Sequence, residues 1–149
     1  MAMYSDPRLS GYLTRALSHE LAAVQQYLMQ AKLAGLWGMA DMSAHLRKEV
    51  NEELVHAERL MERMLVLGIP SNAAQLPPAR TGRSVEEMLQ IDRVLEIEAI
   101  RLYEEAAHYC GRIRDDETQA LFADLLQEEL GHLGGLDRML TEIQKGAMP

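Results

Sequence analysis

Apolar residues recur along the chain at spacings of three, four and seven, the period of an amphipathic helix, in four separate stretches. The first opens near Ser5-Asp6-Pro7, a capping residue followed by a proline suited to a helix's first turn. It continues through Leu9, Leu13, Leu17, Val24, Leu28 and Ala31 and fades at Gly35-Leu36-Trp37-Gly38. The second opens near Ala40-Asp41, runs through Leu46, Val50, Leu60, Met64 and Leu67, and stops at Gly68-Ile69-Pro70. Ser84-Val85-Glu86-Glu87 reads as a capping box that starts the third, which reaches Arg112. Asp115 or Asp116 caps the fourth, with Phe122, Leu125, Leu136, Leu140 and Ile143 on one face and Lys145-Gly146 at its end. The last residues, Ala147-Met148-Pro149, are expected to fray. The pattern predicts helices over 6–35, 40–67, 84–112 and 116–145 in a single domain, 1–149.

Connection lengths then set the topology. The first and third connections are only a few residues long, so each flanking pair turns back as an antiparallel hairpin. The stretch from Ser71 to Arg83, with Pro77-Pro78 and Gly82, is the one long irregular segment and can run the length of a bundle. The predicted fold is all-α: a four-helix bundle of two antiparallel hairpins joined by a long crossover.

Some charges fall on the apolar stripes. Glu20 lies between Leu17 and Val24, and Glu53 and His56 lie between Val50 and Leu60. Glu96 shares a face with Leu89, Ala99 and Tyr103, and Glu129 and His132 lie between Leu125 and Leu136. A charge facing a core is costly unless something compensates it, which sets these six apart from Glu86, Glu87, Glu104 or Glu117. Their spacing repeats: the two glutamates of each half stand 33 residues apart (20 to 53, and 96 to 129). Each His follows its Glu by three, and Tyr27 and Tyr103 each follow Glu20 and Glu96 by seven. Moving the first half along by 76 residues lands every member on its counterpart.

A Glu and a His three apart on a helix point the same way, so both reach one ion. A lone Glu from each remaining helix can bridge or complete two such sites. Four carboxylates carry four negative charges, and two divalent ions neutralise them. Mixed oxygen and imidazole donors suit iron or manganese, and zinc binds such donors too. Tyr27 is expected beside the metals, and Tyr103 stands in the matching place. Asp92, one turn before Glu96, is a candidate acceptor for the outer N–H of a ligand imidazole. His19, His45 and His108 lack a paired Glu of this kind and are expected to be structural or solvent-facing.

Composition narrows the partners. A net charge of −8 argues against nucleic acid or an anionic membrane. One cysteine, Cys110, excludes an intramolecular disulfide and is expected to fill core space. Met1 to Ser10 lacks the basic and apolar regions of a signal peptide, and no apolar run is long enough to span a bilayer, so the expected compartment is the cytoplasm.

At these residues the sequence resembles bacterioferritin, the haem-containing branch of the ferritin-like proteins. The resemblance runs from Gly11-Tyr12-Leu13 to Ile143-Gln144-Lys145-Gly146. Its most specific stretches are His19-Glu20-Leu21 with Gln26-Tyr27, Glu53-Leu54-Val55-His56-Ala57-Glu58-Arg59, Val85-Glu86-Glu87-Met88-Leu89 and Glu128-Glu129-Leu130-Gly131-His132. It implies a di-iron ferroxidase centre, with Glu20, Glu53, His56, Glu96, Glu129 and His132 as ligands and two iron ions per subunit. The implied activity is oxidation of Fe(II) with O2 or H2O2, with storage as mineral if the homo-oligomer, at least a dimer, closes into a 24-subunit shell. There are departures. Leu54 stands where that family's haem-ligating Met does, so haem is not expected. Lys48 and Glu52 stand where its inner-surface iron site has a His and an Asp, and no short fifth helix follows Gly146. Two alternatives remain open: a dimeric, non-storing di-iron or manganese–iron oxidase or peroxide reductase, and a shell or partner subunit with a structural metal.

Overall fold

Four helices form: α1 (Pro7–Leu36), α2 (Ala40–Val66), α3 (Val85–Arg112) and α4 (Asp116–Gln144). Each end falls within one residue of its sequence expectation. The structure is a computed structural model that describes residues 6–70 and 76–146. Ser5, the Ser71 start of the crossover and the Ala147-Met148-Pro149 end lie outside the described residues.

The helix starts follow from local chemistry. The Asp6 carboxylate accepts from the backbone N–H groups of Arg8 and Leu9 at 3.0 and 3.1 Å, and Pro7, which has no N–H to satisfy, takes the first turn. The Ser84 hydroxyl accepts from the N–H of Glu87, and the Asp115 carboxylate from that of Thr118, both at 3.1 Å. α2 has no side-chain cap; instead Ser43 in its first turn donates to the Ala31 carbonyl of α1 at 2.7 Å. The crossover enters α3 through Gly82 at φ +82°, where a Cβ would lie 2.9 Å from the Met88 nitrogen. Only glycine fits there.

The most extensive pairings are α1 with α2 and α3 with α4; α1 meets α3 over a shorter stretch, and α2 meets α4 least. Two apolar clusters fill the interior. Leu9, Leu13, Leu17, Leu60, Met64, Phe122 and Leu125 pack one end, with buried Cys110 among them. Ala31, Leu46, Val50, Met88, Leu89, Leu136 and Leu140 pack the other. Between the clusters lies a polar layer. Among the described residues, no helix is long and apolar enough to cross a membrane.

One ionic link ties the hairpins at their far end. Arg63, near the C-terminus of α2, donates to Thr118 Oγ1 at 2.8 Å, Glu117 Oε2 at 2.7 Å and Asp115 Oδ1 at 3.3 Å. Its side chain is only 15% exposed, so its loss leaves the buried end of α4 short of a donor. Arg63→Ala is expected to lower stability by about 1–3 kcal/mol, or about 2–10 °C in Tm for a chain of this size. Thermal unfolding followed by circular dichroism checks it.

Candidate metal centre

Each of the four helices delivers side chains to the polar layer because each stripe of core residues is interrupted at the same depth. Glu20, Glu53, His56, Glu96 and Glu129 are at most 2% exposed, and His132 is half-buried. All six expected ligands meet there. His56 Nδ1 lies 3.5 Å from Glu20 Oε2, 3.3 Å from Glu53 Oε2 and 3.0 Å from Glu129 Oε1. His132 Nδ1 lies 3.2 Å from Glu53 Oε1, 3.7 Å from Glu129 Oε1 and 4.0 Å from Glu96 Oε2. Two quartets result: Glu20, Glu53, His56 and Glu129, and Glu53, Glu96, Glu129 and His132, each with its donor atoms within 4.8 Å of one another.

Glu53 and Glu129 belong to both quartets. Glu20 and Glu96 belong to one quartet each, so the glutamates of the two Glu-x-x-His pairs are the ones shared. One atom of each of the six residues is buried without a hydrogen-bond partner: Glu20 Oε2, Glu53 Oε1, His56 Nδ1, Glu96 Oε2, Glu129 Oε1 and His132 Nδ1. Orphaned buried polar atoms are rare in folded proteins. Six of them aimed at one another fit a pair of cations.

Two of the other carboxylate oxygens are held by tyrosines. Tyr27 on α1 donates its hydroxyl to Glu96 on α3, and Tyr103 on α3 donates to Glu20 on α1. The outer nitrogens of the imidazoles also have partners. His132 Nε2 meets Glu52 Oε2 at 2.5 Å, and His56 Nε2 meets Glu128 Oε2 at 3.2 Å. These two carboxylates were missed from sequence. A signal existed: each directly precedes a stripe glutamate, and 52 and 128 also differ by 76.

Asp92 differs from its expected role. It is fully buried, but it accepts from Gln26 Nε2 at 2.9 Å instead of from a ligand imidazole, and its Oδ2 has no partner. It lines a cavity of about 210 Å³ that also meets Tyr27, His45, Lys48, Glu49, Glu52 and His132. His45 thus reaches the approach to the site, 3.8 Å from Glu49 Oε1. His19 donates to the Leu95 carbonyl at 3.0 Å and so ties α1 to α3, and His108 is exposed.

The carboxylates and imidazoles shift one another's protonation. Burial, reinforced by the charge of Glu20, pushes the Glu53 carboxyl well above its ordinary range. Burial pulls the other way on the histidines, but the surrounding carboxylates outweigh it and raise His56 to about 12 and His132 to about 11. Burial likewise raises Glu129, but its contacts with both imidazoles dominate and lower it to about 2.

Four helices in two hairpins, closing on buried glutamates and paired imidazoles, define the class of carboxylate- and histidine-lined bundles. The sequence profile of the ferritin-like domain matches residues 11–146. The bacterioferritin of Rhodobacter capsulatus is 34% identical over 139 residues, covering 93% of this chain and 86% of that protein. Those of Streptomyces coelicolor and Brucella melitensis are 35% and 33% identical over 144 residues, covering 96% of this chain and 86% and 89% of theirs. The chain belongs to the bacterioferritin branch of the ferritin-like family.

Burial pushes Asp92 up to about 7 against a partial pull from its glutamine hydrogen bonds. Folded Asp92 therefore holds a proton that the unfolded chain releases near pH 4, and stability contributed this way is lost as pH rises through about 7. Asp92→Asn keeps an acceptor for Gln26 and has no proton to lose. Metal-free Asp92→Asn is expected to melt several degrees above the metal-free parent at pH 8. The gap should close toward pH 4, as read by thermal scans across that range.

Proposed function

We propose that the chain binds two Fe(II) ions as substrate, within one ferritin-like domain spanning 1–149, and oxidises them to Fe(III) with O2 or H2O2. The single observation behind this reading is the set of six buried, unpartnered donor atoms, one on each of Glu20, Glu53, His56, Glu96, Glu129 and His132. Oxygen and imidazole donors in this ratio suit iron, accept manganese and also bind zinc. Iron supplies the electrons, one per ion. Two Fe(II), O2 and two protons give two Fe(III) and H2O2; with H2O2 as oxidant, two Fe(II) and two protons give two Fe(III) and two waters.

The chain's part is geometric and electrostatic. Glu53 and Glu129 are common to both quartets, so they would hold both ions and keep the two electron donors side by side. His56 and His132 each fix one side through Nδ1. Tyr27 and Tyr103 hold Glu96 and Glu20 by one oxygen and leave the other free. Tyr27 also borders the 210 Å³ cavity, which supports proposing it as an additional catalytic residue. Four carboxylates meeting two divalent ions balance the charge, and the protons on Glu53 and the imidazoles depart as the ions enter. Haem plays no part in this reading: Leu54 has no atom to ligate it. The proposed compartment is the cytoplasm, whose reducing pool suits a ferrous substrate.

Storage requires an enclosing shell, so we propose a homo-oligomer, at least a dimer, with the 24-subunit shell as the storing form. Support comes from apolar side chains left in solvent on the first hairpin: Met29, Leu36, Leu54, Val55 and Leu65 are 40–85% exposed.

Aerobic addition of Fe(II) to metal-free protein is expected to develop Fe(III) absorbance that saturates near two ions per chain in its fast phase. Glu53→Ala, which removes a ligand common to both ions, is expected to slow that phase at least tenfold. Absence of the phase, or its persistence in Glu53→Ala, refutes ferroxidation at this site. Native mass spectrometry of the loaded protein decides storage: a dimer without a mineral core leaves a non-storing oxidase.

A further inference from the structure

The 76-residue repeat brings matched ligands together, but it does not match what stands behind them. Behind His56 the support is continuous. Glu128 Oε2 lies 3.2 Å from His56 Nε2 and 3.1 Å from Arg59 Nη1, while Arg59 Nη2 reaches Asp124 Oδ2 at 3.1 Å. The guanidinium of α2 thus grips two carboxylates one turn apart on α4, a fork that a single ammonium cannot reproduce.

Behind His132 the carboxylate is present but its arginine anchor is not. The repeat puts Gly135 in the place of Arg59 and Lys48 in the place of Asp124. Glu52 holds His132 Nε2, with Glu49 Oε2 3.5 Å away, and no guanidinium grips Glu52 among the described residues. The 210 Å³ cavity lies there, lined by Lys48, Gly131, Gly135 and Arg138, and the Arg138 guanidinium, beside Gly134 and Gly135, pairs with neither Glu52 nor Glu49. Both imidazoles are held by a carboxylate from behind, but only the carboxylate behind His56 is itself gripped by a guanidinium among the described residues.

We propose that Arg59 is a positioning residue that makes the two metal subsites unequal. By fixing Glu128 it orients His56 Nδ1, so the subsite built on Glu20 and His56 fills first and holds its ion more tightly than the one built on Glu96 and His132. Exposed ion pairs contribute little to stability, and Arg59 and Glu128 are 34% and 50% exposed. Arg59 acts by holding orientation, as carboxylates behind a ligand histidine do. The inference rests on the reading of these six residues as metal ligands.

Co(II), titrated into the full metal-free chain and followed by its visible absorption, reads both subsites without iron oxidation. The parent is expected to fill in two steps, and at one Co(II) per chain anomalous scattering should place the ion beside His56. Arg59→Gln is expected to weaken the first step about fivefold and leave the second within about twofold. Arg59→Lys should fall between, and Asp124→Asn should show a smaller loss on the same step. Glu52→Gln should weaken the second step alone. If Arg59→Gln loses its helical content, Arg59→Lys carries the comparison. One indistinct step in the parent, an Arg59 effect shared equally by both steps, or first density beside His132 overturns the proposal. No Co(II) uptake by the parent overturns the metal-binding reading together with it.

Discussion

Four carboxylates packed at one depth of an apolar interior repel each other, and the rest of the bundle is arranged around that repulsion. Two unit charges 4 Å apart at an effective dielectric near 20 interact by about 4 kcal/mol. Several such pairs left ionised and bare match the whole net stability of an ordinary domain, about 5–15 kcal/mol. Positive charge must therefore sit among them. The two imidazoles supply some of it and a proton on Glu53 relieves more. Cations would replace both. An interior that is stable only with borrowed positive charge is suited to hold cations by the same physics that threatens its fold.

The bundle holds this layer by crossing every support from one hairpin to the other. Tyr27 and Tyr103 link α1 and α3 through Glu96 and Glu20; Glu52 and Glu128 link α2 and α4 through His132 and His56. The second set joins α2 and α4, the least extensive of the four helix pairings. Neither hairpin alone completes a quartet, since each draws ligands from both. The site and the docking of the hairpins are therefore one event. Apolar clusters above and below exclude water, which strengthens each of these polar contacts and raises the cost of leaving one unmade.

Much of this was legible in the sequence because helices are local. Capping residues, period and breakers placed all four helices to within a residue, and the interruption of each apolar stripe by Glu or His identified all six residues that converge. The supports behind them were harder to read. Glu52 and Glu128 sit at the edge of their helices, where an acidic residue is ordinary, and only the angle between α2 and α4 reveals that each faces the other's histidine. Asp92 failed for the converse reason: its spacing from Glu96 puts it on the right face, but one turn along the axis takes it out of reach of the imidazoles and beside Gln26. Spacing along one helix fixes direction; reach across to another depends on packing that a single sequence does not display.

Symmetry itself separates what the site needs twice from what it needs once. The four inward glutamates, two histidines, tyrosines and outer carboxylates are duplicated across the 76-residue offset. The surroundings are not. Gln26, Gln30 and Asp92 form a buried polar group on one side, with Gln30 donating to the Arg80 carbonyl of the crossover at 3.0 Å, while their counterparts Leu102, Ala106 and Ala16 are apolar. The cavity opens on that same polar side, next to His132, and the Arg59 fork closes the opposite one. A buried acid and its amides cost stability that alanine and leucine would not, so their presence on one side only calls for a one-sided task. Among the described residues, that side joins a cavity reaching His132 to the buried Asp92 carboxyl, so a proton moving between solvent and the centre finds both space and a hydrogen-bonding group there.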